Sequence, residues 1–566
     1  MKNMDPRKEL TPLSGQWKTS DDIAVSDVEK TDIYRSSQEP SYVSWAVLWK
    51  ESGGALKLSF TEVLGDPASW PPVYDFNAEG IQYYVKTLVS NDEGRSWEDT
   101  LWREDLHGIP HGNSDHKVRV VTQLEDGTLI RNSWRANGDT VMRYEIIYDK
   151  SKEIEDFPFL VKGPMALPAL ATSTGKSSDG GKTWEEINLY RGKTPFLADA
   201  IHQLKDGSVV ATGALLHDWS RSETYQVVLV ESQDGGHTWS APHVIAENDD
   251  DLAPQIMGEE SDFVELSDGR LLLIERTDGA GMNMVQMYVS RDPHGKWQAT
   301  RPTTNPAFLH SGFPHMCRAT DGTIFCYLIT GMIYTCDDGA TWKSLPLGHS
   351  YYGEIIESSP GRMVAVTQKH IGDCCFPWRH DTAMLQTTFH YERFGVAEQT
   401  DADRIGAVAM LGDGALEDFH LCAEVRVDGE AGVAFKVNED TYGFVAVVIP
   451  CNVFRAPGGA GGTGQDAIMM IGRSDAGRLV VLRKQGIGKV IPGSWIEVQV
   501  DRSGGILKTA VKTAADRPAY YMVTAEDLGR AGGLGLFTNK SAGAFRNIRI
   551  GKGGTEIRSN WGALVG

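Results

Sequence analysis

The chain has 566 residues, 41% of them hydrophobic, and a formal net charge of −21 that is spread along its length. This length exceeds one ordinary domain and can hold a large repeat fold together with a second module. The acidic balance argues against nucleic acid or an anionic membrane surface as a partner.

The first 20 residues are polar and are predicted to form a poorly ordered N-terminal arm. The opening stretch MKNMDPRKELTPLSG lacks the apolar segment of a signal peptide, and no run in the chain is long enough to cross a bilayer. We therefore expect a cytoplasmic protein.

After the arm, an apolar strand, a glycine-containing corner and a second apolar strand recur six times. The copies are AVLWKESGGALKLSF, VVTQLEDGTLI, AIHQLKDGSVVATG, FVELSDGRLLLI, MCRATDGTIFCYLI and IIESSPGRMVAV. Such corners between alternating apolar runs indicate β-hairpins, and each hairpin would supply the two inner strands of one blade. The pattern predicts a six-bladed β-propeller over residues 21–397. Its ring is expected to close by pairing Asp32 to Arg35 with the strand TAMLQTTFHYER.

A second repeat follows the pattern Ser/Thr-x-Asp-x-Gly-x-Ser/Thr-Trp. Its copies are SNDEGRSW from Ser90, SSDGGKTW from Ser177, SQDGGHTW from Ser232, TCDDGATW from Thr335 and a worn copy, SRDPHGKW, from Ser290. The Asp can accept hydrogen bonds from the turn, the Gly allows a positive φ, and the Trp packs back over the loop. These stretches resemble the Asp boxes of the sialidase-like β-propellers, a likeness that covers about residues 20–393. In that family the boxes lie on the rim, which implies structural roles for Asp92, Asp179, Asp234 and Asp337.

Residues 398–566 are again rich in strands but lack the repeated turn. Runs such as FHLCAEVRVDG, YGFVAVVIP and WIEVQVDRS predict a β-sandwich of the jelly-roll kind. The segment resembles the concanavalin-like modules appended to glycosidase propellers. Either a structural module or a carbohydrate-binding role remains open for it.

The seven cysteines are odd in number and match no zinc-binding spacing, so buried, reduced thiols are expected. A redox role for the vicinal pair Cys374–Cys375 is the alternative. We predict no cofactor and no catalytic metal. The acidic run from Glu247 to Asp251 could bind a structural calcium ion, and this alternative stays open.

Candidate functional residues come from the loops that enter the first strand of each blade, because that strand lies beside the propeller axis. Counting back about eight residues from each corner gives Glu260, Tyr352, Phe313 beside His315, Ala198 beside Asp199, and Val118 beside His116. Convergence of such groups on one concave site is what a small-ligand pocket needs.

Two stretches resemble the sialidase pattern residue by residue. In GEESDFVELSDGRLLLIER the likeness implies that Glu260 activates a tyrosine nucleophile and that Arg276 binds a substrate carboxylate. In SYYGEIIESSPGRM it implies that Tyr352 is the nucleophile, which needs a nearby carboxylate base because the pKa of a phenol is about 10. The family's acid is expected at Asp75, with Asp66 as the alternative.

The chain departs from that pattern at the other carboxylate-binding arginines. The first is expected at Tyr42 or Val43, and the stretch GMIYTCDDG, where another is expected, has none. Arg135 and Arg318 are candidate substitutes. Histidines are the unusual feature instead, because His116 and His315 fall on the predicted axis and could bind a ligand or transfer protons.

The leading functional prediction is an exo-acting glycoside hydrolase of the sialidase-like superfamily that removes a terminal, acidic or neutral, sugar from an oligosaccharide or glycoconjugate. One alternative is a polysaccharide lyase in which Tyr352, His116 or His315 takes a uronate proton. Another is a non-catalytic glycan-binding propeller. Fold alone does not choose among them.

Overall fold

The computed structural model describes most of the chain as β-structure. The described residues are 2–3, 8, 10–12, 16–39, 41–65, 81–105, 117–148, 159–187, 196–216, 225–247, 260–276, 284–304, 314–328, 331–345, 347, 353–371, 381–400, 407–416, 418–427, 430–437, 442–448, 465–475, 478–490, 494–503, 506–512, 519–524, 532–538 and 543–552. They form 38 strands, which confirms the predicted all-β class. No helix in this part of the chain has the length and hydropathy needed to span a membrane.

The chain divides into two compact units, Val25–Glu392 and a second one built from Met1–Ala24 with Arg393–Gly566. The predicted boundaries at residues 20 and 397 lie a few residues from this division. The segment predicted as an arm contains β1 (Lys2–Asn3) and β2 (Leu10–Pro12). β1 pairs with β38 (Gly543–Lys552), and β2 pairs with β28 (Ala407–Leu416).

The larger unit contains five separate antiparallel sheets and a sixth group of antiparallel strands that is part of a larger sheet, and we number these six groups as blades in chain order. The count of six blades in the ring stays a prediction. Blade 1 has β4 (Val43–Lys50), β5 (Leu56–Gly65), β6 (Ile81–Ser90) and β7 (Glu98–Asp105). Blade 2 has β8 (Lys117–Gln123), β9 (Leu129–Tyr148), β10 (Phe159–Ser177) and β11 (Glu185–Ile187). Blade 3 has β12 (Phe196–Gln203), β13 (Val209–Leu216), β14 (Tyr225–Ser232) and β15 (His243–Glu247).

The remaining blades follow the same order along the chain. Blade 4 has β16 (Ser261–Glu265), β17 (Leu271–Arg276), β18 (Met284–Arg291) and β19 (Trp297–Ala299), with β20 (Thr303–Thr304) paired to β18. Blade 5 has β21 (His315–Arg318), β22 (Ile324–Leu328), β23 (Gly331–Thr335) and β24 (Lys343–Leu345). Blade 6 has β25 (Gly353–Ser359), β26 (Arg362–Ile371), β27 (Asp381–Gln399) and, as its fourth strand, β3 (Trp17–Tyr34). The pairing of β3 with β27 confirms the predicted ring closure.

The propeller core lies between neighbouring blades, where apolar side chains of adjacent sheets interdigitate. Between blades 3 and 4, for example, buried Leu229 and Ile245 pack in one cluster with Phe263 and Leu273. The junction of blades 6 and 1 has the same character, with Val364 and Met384 joining the cluster of blade 1. The ring is therefore closed by apolar packing as well as by strand pairing.

The smaller unit is a two-sheet β-sandwich. One sheet has the order β38, β29 (Phe419–Val427), β34 (Trp495–Ser503), β35 (Ile506–Lys512) and β36 (Ala519–Thr524). The other has the order β2, β28, β37 (Gly532–Thr538), β30 (Glu430–Val437), β31 (Tyr442–Val448), β32 (Gln465–Asp475) and β33 (Arg478–Val490). Alternate residues of both sheets, such as Leu421 and Val433, share one buried cluster, as expected for two sheets packed face to face. The more specific likeness to concanavalin-like modules stays a prediction.

Candidate functional site

Each blade has two chemically different ends. We call the end at which the first strand begins the entry end, and the end with the turn between the first and second strands the corner end. Because the strands alternate in direction, the turn between the third and fourth strands, which carries the Asp box, also lies at the corner end. The described Asp boxes are therefore separated from the entry end by the length of a strand.

An arginine–glutamate pair stands at the entry end of blade 4. Ser261 pairs with Glu275, so the next residues along the two strands, Glu260 and Arg276, face each other. The Arg276 amide donates to the Glu260 carbonyl at 2.8 Å, and Arg276 Nη1 donates to Glu260 Oε2 at 2.7 Å. The Glu260 side chain is 7% exposed and that of Arg276 is 19% exposed. The pair thus fixes a guanidinium that remains accessible from this end.

A histidine–glutamate pair joins the entry ends of blades 5 and 6. His315 is the first residue of β21, and Glu354 is the second residue of β25. His315 Nδ1 lies 2.9 Å from Glu354 Oε2, and both side chains are largely buried. A carboxylate at Nδ1 favours the tautomer with the proton on that nitrogen and leaves Nε2 to accept or deliver a proton. The sequence indicated His315 but not its partner Glu354.

Asp262 links the first strands of three successive blades. Its Oδ1 lies 2.7 Å from His202 Nε2 of blade 3, and its Oδ2 accepts the Met316 amide of blade 5 at 2.7 Å. Asp262 also accepts the amide of Phe263 at 2.7 Å and is almost fully buried. No sequence motif indicated Asp262 or His202. The available signal was the two-residue spacing from Glu260, because alternate residues of a strand share one face.

Of the other predicted site residues, three lie on described strands and three lie outside the described residues. Asp199 is 1% exposed and lies where the pairing of β12 with β13 is irregular. Arg318 is the last residue of β21 and so lies at the corner end of blade 5, three residues beyond His315. Arg135 lies on β9 opposite Ala171, and its side chain is outside the described part of the chain. Tyr352, Asp75 and His116 also lie outside the described residues.

The positions expected for the family's first arginine are packed into the fold. Tyr42 is 3% exposed and Val43 is fully buried. The Tyr42 ring makes an edge contact with Trp45, with centroids 6.4 Å apart. Apolar packing therefore occupies the place where the sialidase pattern has a cation.

The described thiols near the axis are inert. Burial raises the pKa of Cys317 to about 12, with the carboxylates of Glu357 and Asp262 adding to the shift. Burial likewise raises the pKa of Cys326 well above its ordinary value. Neither thiol is a nucleophile at neutral pH. Among the residues that the structure describes, no group of three or more His, Cys, Asp or Glu side chains could hold a metal ion.

Residues 7–326 match the BNR repeat-like domain family, and the chain belongs to this family. No curated protein matches the chain.

Solved structures give distant likenesses. A protein of unknown function from Dyadobacter fermentans DSM 18053 is 18% identical, with a TM-score of 0.46, over 65% of this chain and 99% of that one. The NanB sialidase from Streptococcus pneumoniae is 14% identical, with a TM-score of 0.40, over 64% of this chain and 70% of that one. The α-L-arabinofuranosidase Arb93A from Fusarium graminearum is 12% identical, with a TM-score of 0.40, over 63% and 96%. At these scores the likenesses assign no activity to this chain.

Proposed function

We propose that the chain is a carbohydrate-active enzyme, and specifically a glycoside hydrolase that removes a terminal sugar from an acidic glycan. The observation that carries the proposal is the Arg276–Glu260 pair at the entry end of blade 4. A guanidinium held by a buried carboxylate is pre-organised for a second carboxylate, that of the substrate, because its fork of donors need not be oriented during binding.

The reaction itself needs groups beyond this pair. In the proposed mechanism the phenol oxygen of Tyr352 attacks the anomeric carbon, a carboxylate takes the phenol proton, and Asp75 protonates the leaving group. Water then attacks the same carbon, which releases the sugar and restores the phenol of Tyr352. Tyr352 directly precedes Gly353, whose backbone is packed against the Tyr327 ring. A Cβ at Gly353 would lie 2.4 Å from Tyr327 Cε1, so any side chain at this position would have to displace the Tyr327 ring. This close packing supports a fixed backbone position beside Tyr352.

The Glu260 carboxylate binds Arg276, and this interaction competes with its proposed role as the base for Tyr352. Its carboxylate already accepts Arg276 Nη1. We therefore assign Glu260 to the orientation of Arg276 as well as to proton transfer from Tyr352. The variant Glu260→Gln separates the two duties, because an amide oxygen can still accept from Arg276 but cannot take a proton at neutral pH.

A product-resolved screen tests the proposal. Purified protein is incubated with sialosides, rhamnosyl-glucuronides and neutral oligosaccharides, and products are separated by mass and by anomeric configuration. Release of a saturated terminal sugar from an acidic substrate, lost in Arg276→Ala and retained in the corner-end variant Arg270→Ala, supports hydrolysis. Binding of a glycan without any product would contradict it and favour the non-catalytic alternative.

Uronate β-elimination is the second candidate function, and the His315–Glu354 pair favours it. A histidine whose Nδ1 is held by a carboxylate can take the proton next to the uronate carboxyl group through Nε2. In this reaction Arg276 would neutralise the carboxylate as the C5 proton leaves, the bond between C4 and the glycosidic oxygen breaks, and the departing oxygen takes a proton from water. Elimination gives an unsaturated product that absorbs ultraviolet light, and hydrolysis does not, so the same screen separates the two reactions.

A further inference from the structure

A recurrent hydrogen bond joins the corner ends of neighbouring blades. In four of the six junctions, a backbone amide in the corner of one blade donates to a side-chain oxygen at the end of the next blade's first strand. The pairs are Ser52 to Gln123 Oε1 at 2.5 Å, Glu125 to Gln203 Oε1 at 2.7 Å, Lys205 to Glu265 Oε2 at 2.8 Å, and Thr320 to Glu357 Oε2 at 2.7 Å. Each acceptor residue stands four positions before a corner glycine, so the bond is a periodic feature of the ring.

The junction between blades 4 and 5 breaks this pattern. The acceptor position, four residues before Gly322, is occupied by Arg318, and the donor position belongs to Ser267. An arginine side chain has only donors, so it cannot receive the Ser267 amide. Within the described chain, the Ser267 amide has no hydrogen-bond acceptor. The corner of blade 4 itself keeps the common geometry, with the Leu266 amide donating to the Arg270 carbonyl at 2.7 Å.

Arg318 also lacks a partner of its own. Its Nε is buried without a hydrogen bond, and among the described residues its guanidinium forms no ion pair. Leaving a buried donor of a charged group unsatisfied is costly, and the chain has 76 Asp and Glu residues that could have supplied a carboxylate. At the junction of blades 6 and 1, Lys50 occupies the position equivalent to that of Arg318. Unlike Arg318, it has an acceptor, because Lys50 Nζ donates to the Ser358 carbonyl at 2.6 Å.

We propose that Arg318 and the Ser267 amide bind a small inorganic anion, of the chloride or phosphate class, at the corner end between blades 4 and 5. The anion takes the place of the side-chain oxygen that bridges the four regular junctions. It accepts from Ser267 on one blade and from the guanidinium on the next. This site lies at the opposite ends of the strands from Glu260 and His315, and it does not depend on the proposed hydrolase activity.

Bromide, which replaces chloride and scatters anomalously, tests the site directly. Crystals of the full chain are soaked in bromide and compared with crystals of Arg318→Gln, a change that restores the acceptor found at Gln203. We expect an anomalous peak within hydrogen-bonding distance of Arg318 Nε and the Ser267 amide in the wild type, and none at that position in the variant. A wild-type map with no anion there after either a bromide soak or a phosphate soak, or a bromide peak that persists in Arg318→Gln, overturns the proposal.

Thermal unfolding gives the second readout in solution. The melting temperature is measured in chloride, in phosphate and in a bulky organic sulfonate at equal ionic strength, because general screening alone stabilises an acidic chain. We expect chloride or phosphate to raise the wild-type melting temperature by about 2 °C over the sulfonate. Arg318→Gln should abolish this increment.

Arg270→Gln is the matched control for that measurement. Arg270 lies in the corner of the same junction but already has partners, because its Nε donates to Asp268 Oδ2 at 2.7 Å and its guanidinium stacks over Tyr288. The control removes one positive charge at the same corner and should keep the anion-specific increment. An increment that disappears equally in both variants would show that net charge, and not a bound anion, is responsible, and would overturn the proposal.

Discussion

The two ends of the propeller blades use polar residues in opposite ways. At the corner end, the same hydrogen bonds recur from blade to blade, in the Asp boxes and in the four regular junctions. At the entry end, the described polar groups differ from blade to blade: the Glu260–Arg276 pair belongs to blade 4, His315 to blade 5 and its partner Glu354 to blade 6. Repetition marks the chemistry that builds the ring, and departure from repetition marks the chemistry that is available for function.

The Asp boxes show why the corner end is uniform. In the first box, Asp92 accepts the Ser96 amide at 2.8 Å and the Ser96 hydroxyl at 2.6 Å, and Ser90 Oγ accepts the Gly94 amide at 2.8 Å. The boxes of Asp179, Asp234 and Asp337 repeat these bonds. Every partner lies within eight residues, so the turn forms the same way wherever the motif occurs.

The largest expected effect is a loss of activity when an arginine is removed at the entry end but not when one is removed at the corner end. On the proposed function, Arg276→Ala should lower turnover of an acidic glycan by about 100- to 1000-fold, because it removes the cation that we propose binds the substrate carboxylate. Steady-state kinetics on the substrate found in the screen measures the loss. Arg276→Lys should recover part of it, and Arg270→Ala at the corner end should cost less than about twofold. Equal losses in Arg276→Ala and Arg270→Ala would erase the distinction between the ends.

The second effect concerns Glu354, which we regard as a positioning residue. If the reaction is uronate elimination, Glu354→Ala should lower turnover by about 100-fold, because His315 loses the carboxylate that holds its Nδ1 proton. Glu354→Gln should lower it by only about tenfold, because an amide oxygen can still accept from Nδ1. The measurement is the ratio of the turnover numbers of Glu354→Gln and Glu354→Ala. If both lose activity to the same extent, orientation of the His315 ring is not what Glu354 contributes.

The third effect concerns the stability of the ring. Gln286 is buried and bridges blades 4 and 5, because its Oε1 accepts Trp342 Nε1 at 2.7 Å and its Nε2 donates to the Gly339 carbonyl at 2.9 Å. Gln286→Ala should lower the free energy of unfolding by about 2 kcal/mol, since it leaves a buried indole donor unsatisfied. Denaturant unfolding measures this change. The exposed Gln298→Ala is the control and should change stability by less than about 0.5 kcal/mol.

The smallest effect concerns a single Asp box and its pH dependence. Hydrogen bonds from Thr238 lower the pKa of Asp234 from 3.8 to about 2. A lowered folded-state pKa contributes stability that is fully present above pH 3.8 and is lost as the pH falls towards 2. Asp234→Ala should therefore cost about 1 kcal/mol at neutral pH, and the difference from the wild type should narrow below pH 3.8. A constant difference down to pH 2 would contradict the role of the ionised carboxylate.

The sequence predicted the corner end better than the entry end, for a physical reason. The boxes and hairpins consist of local contacts, so their motifs are complete in the sequence, and the antiparallel hairpins of each blade follow from them. Glu260 and His315 were found by counting back from each corner, and Arg276 by the resemblance to the sialidase pattern. Glu354 and Asp262 were missed, because their roles depend on which first strands become neighbours in the ring. Arg318 was grouped with the site by nearness in sequence, although a strand separates it from the entry end.

Blade 6 cannot form until most of the chain has been translated. β3 ends at Tyr34 and its partner β27 begins at Asp381, so about 350 residues must be translated before they can pair. At ribosomal speeds of about 5 to 20 residues per second, β3 waits for about 20 to 70 s as an unpaired strand. Exposed charges on this strand, among them Asp27, Glu29, Lys30 and Asp32, discourage pairing with another nascent chain during that interval. The strand that closes the ring is thereby protected against aggregation until its partner is made.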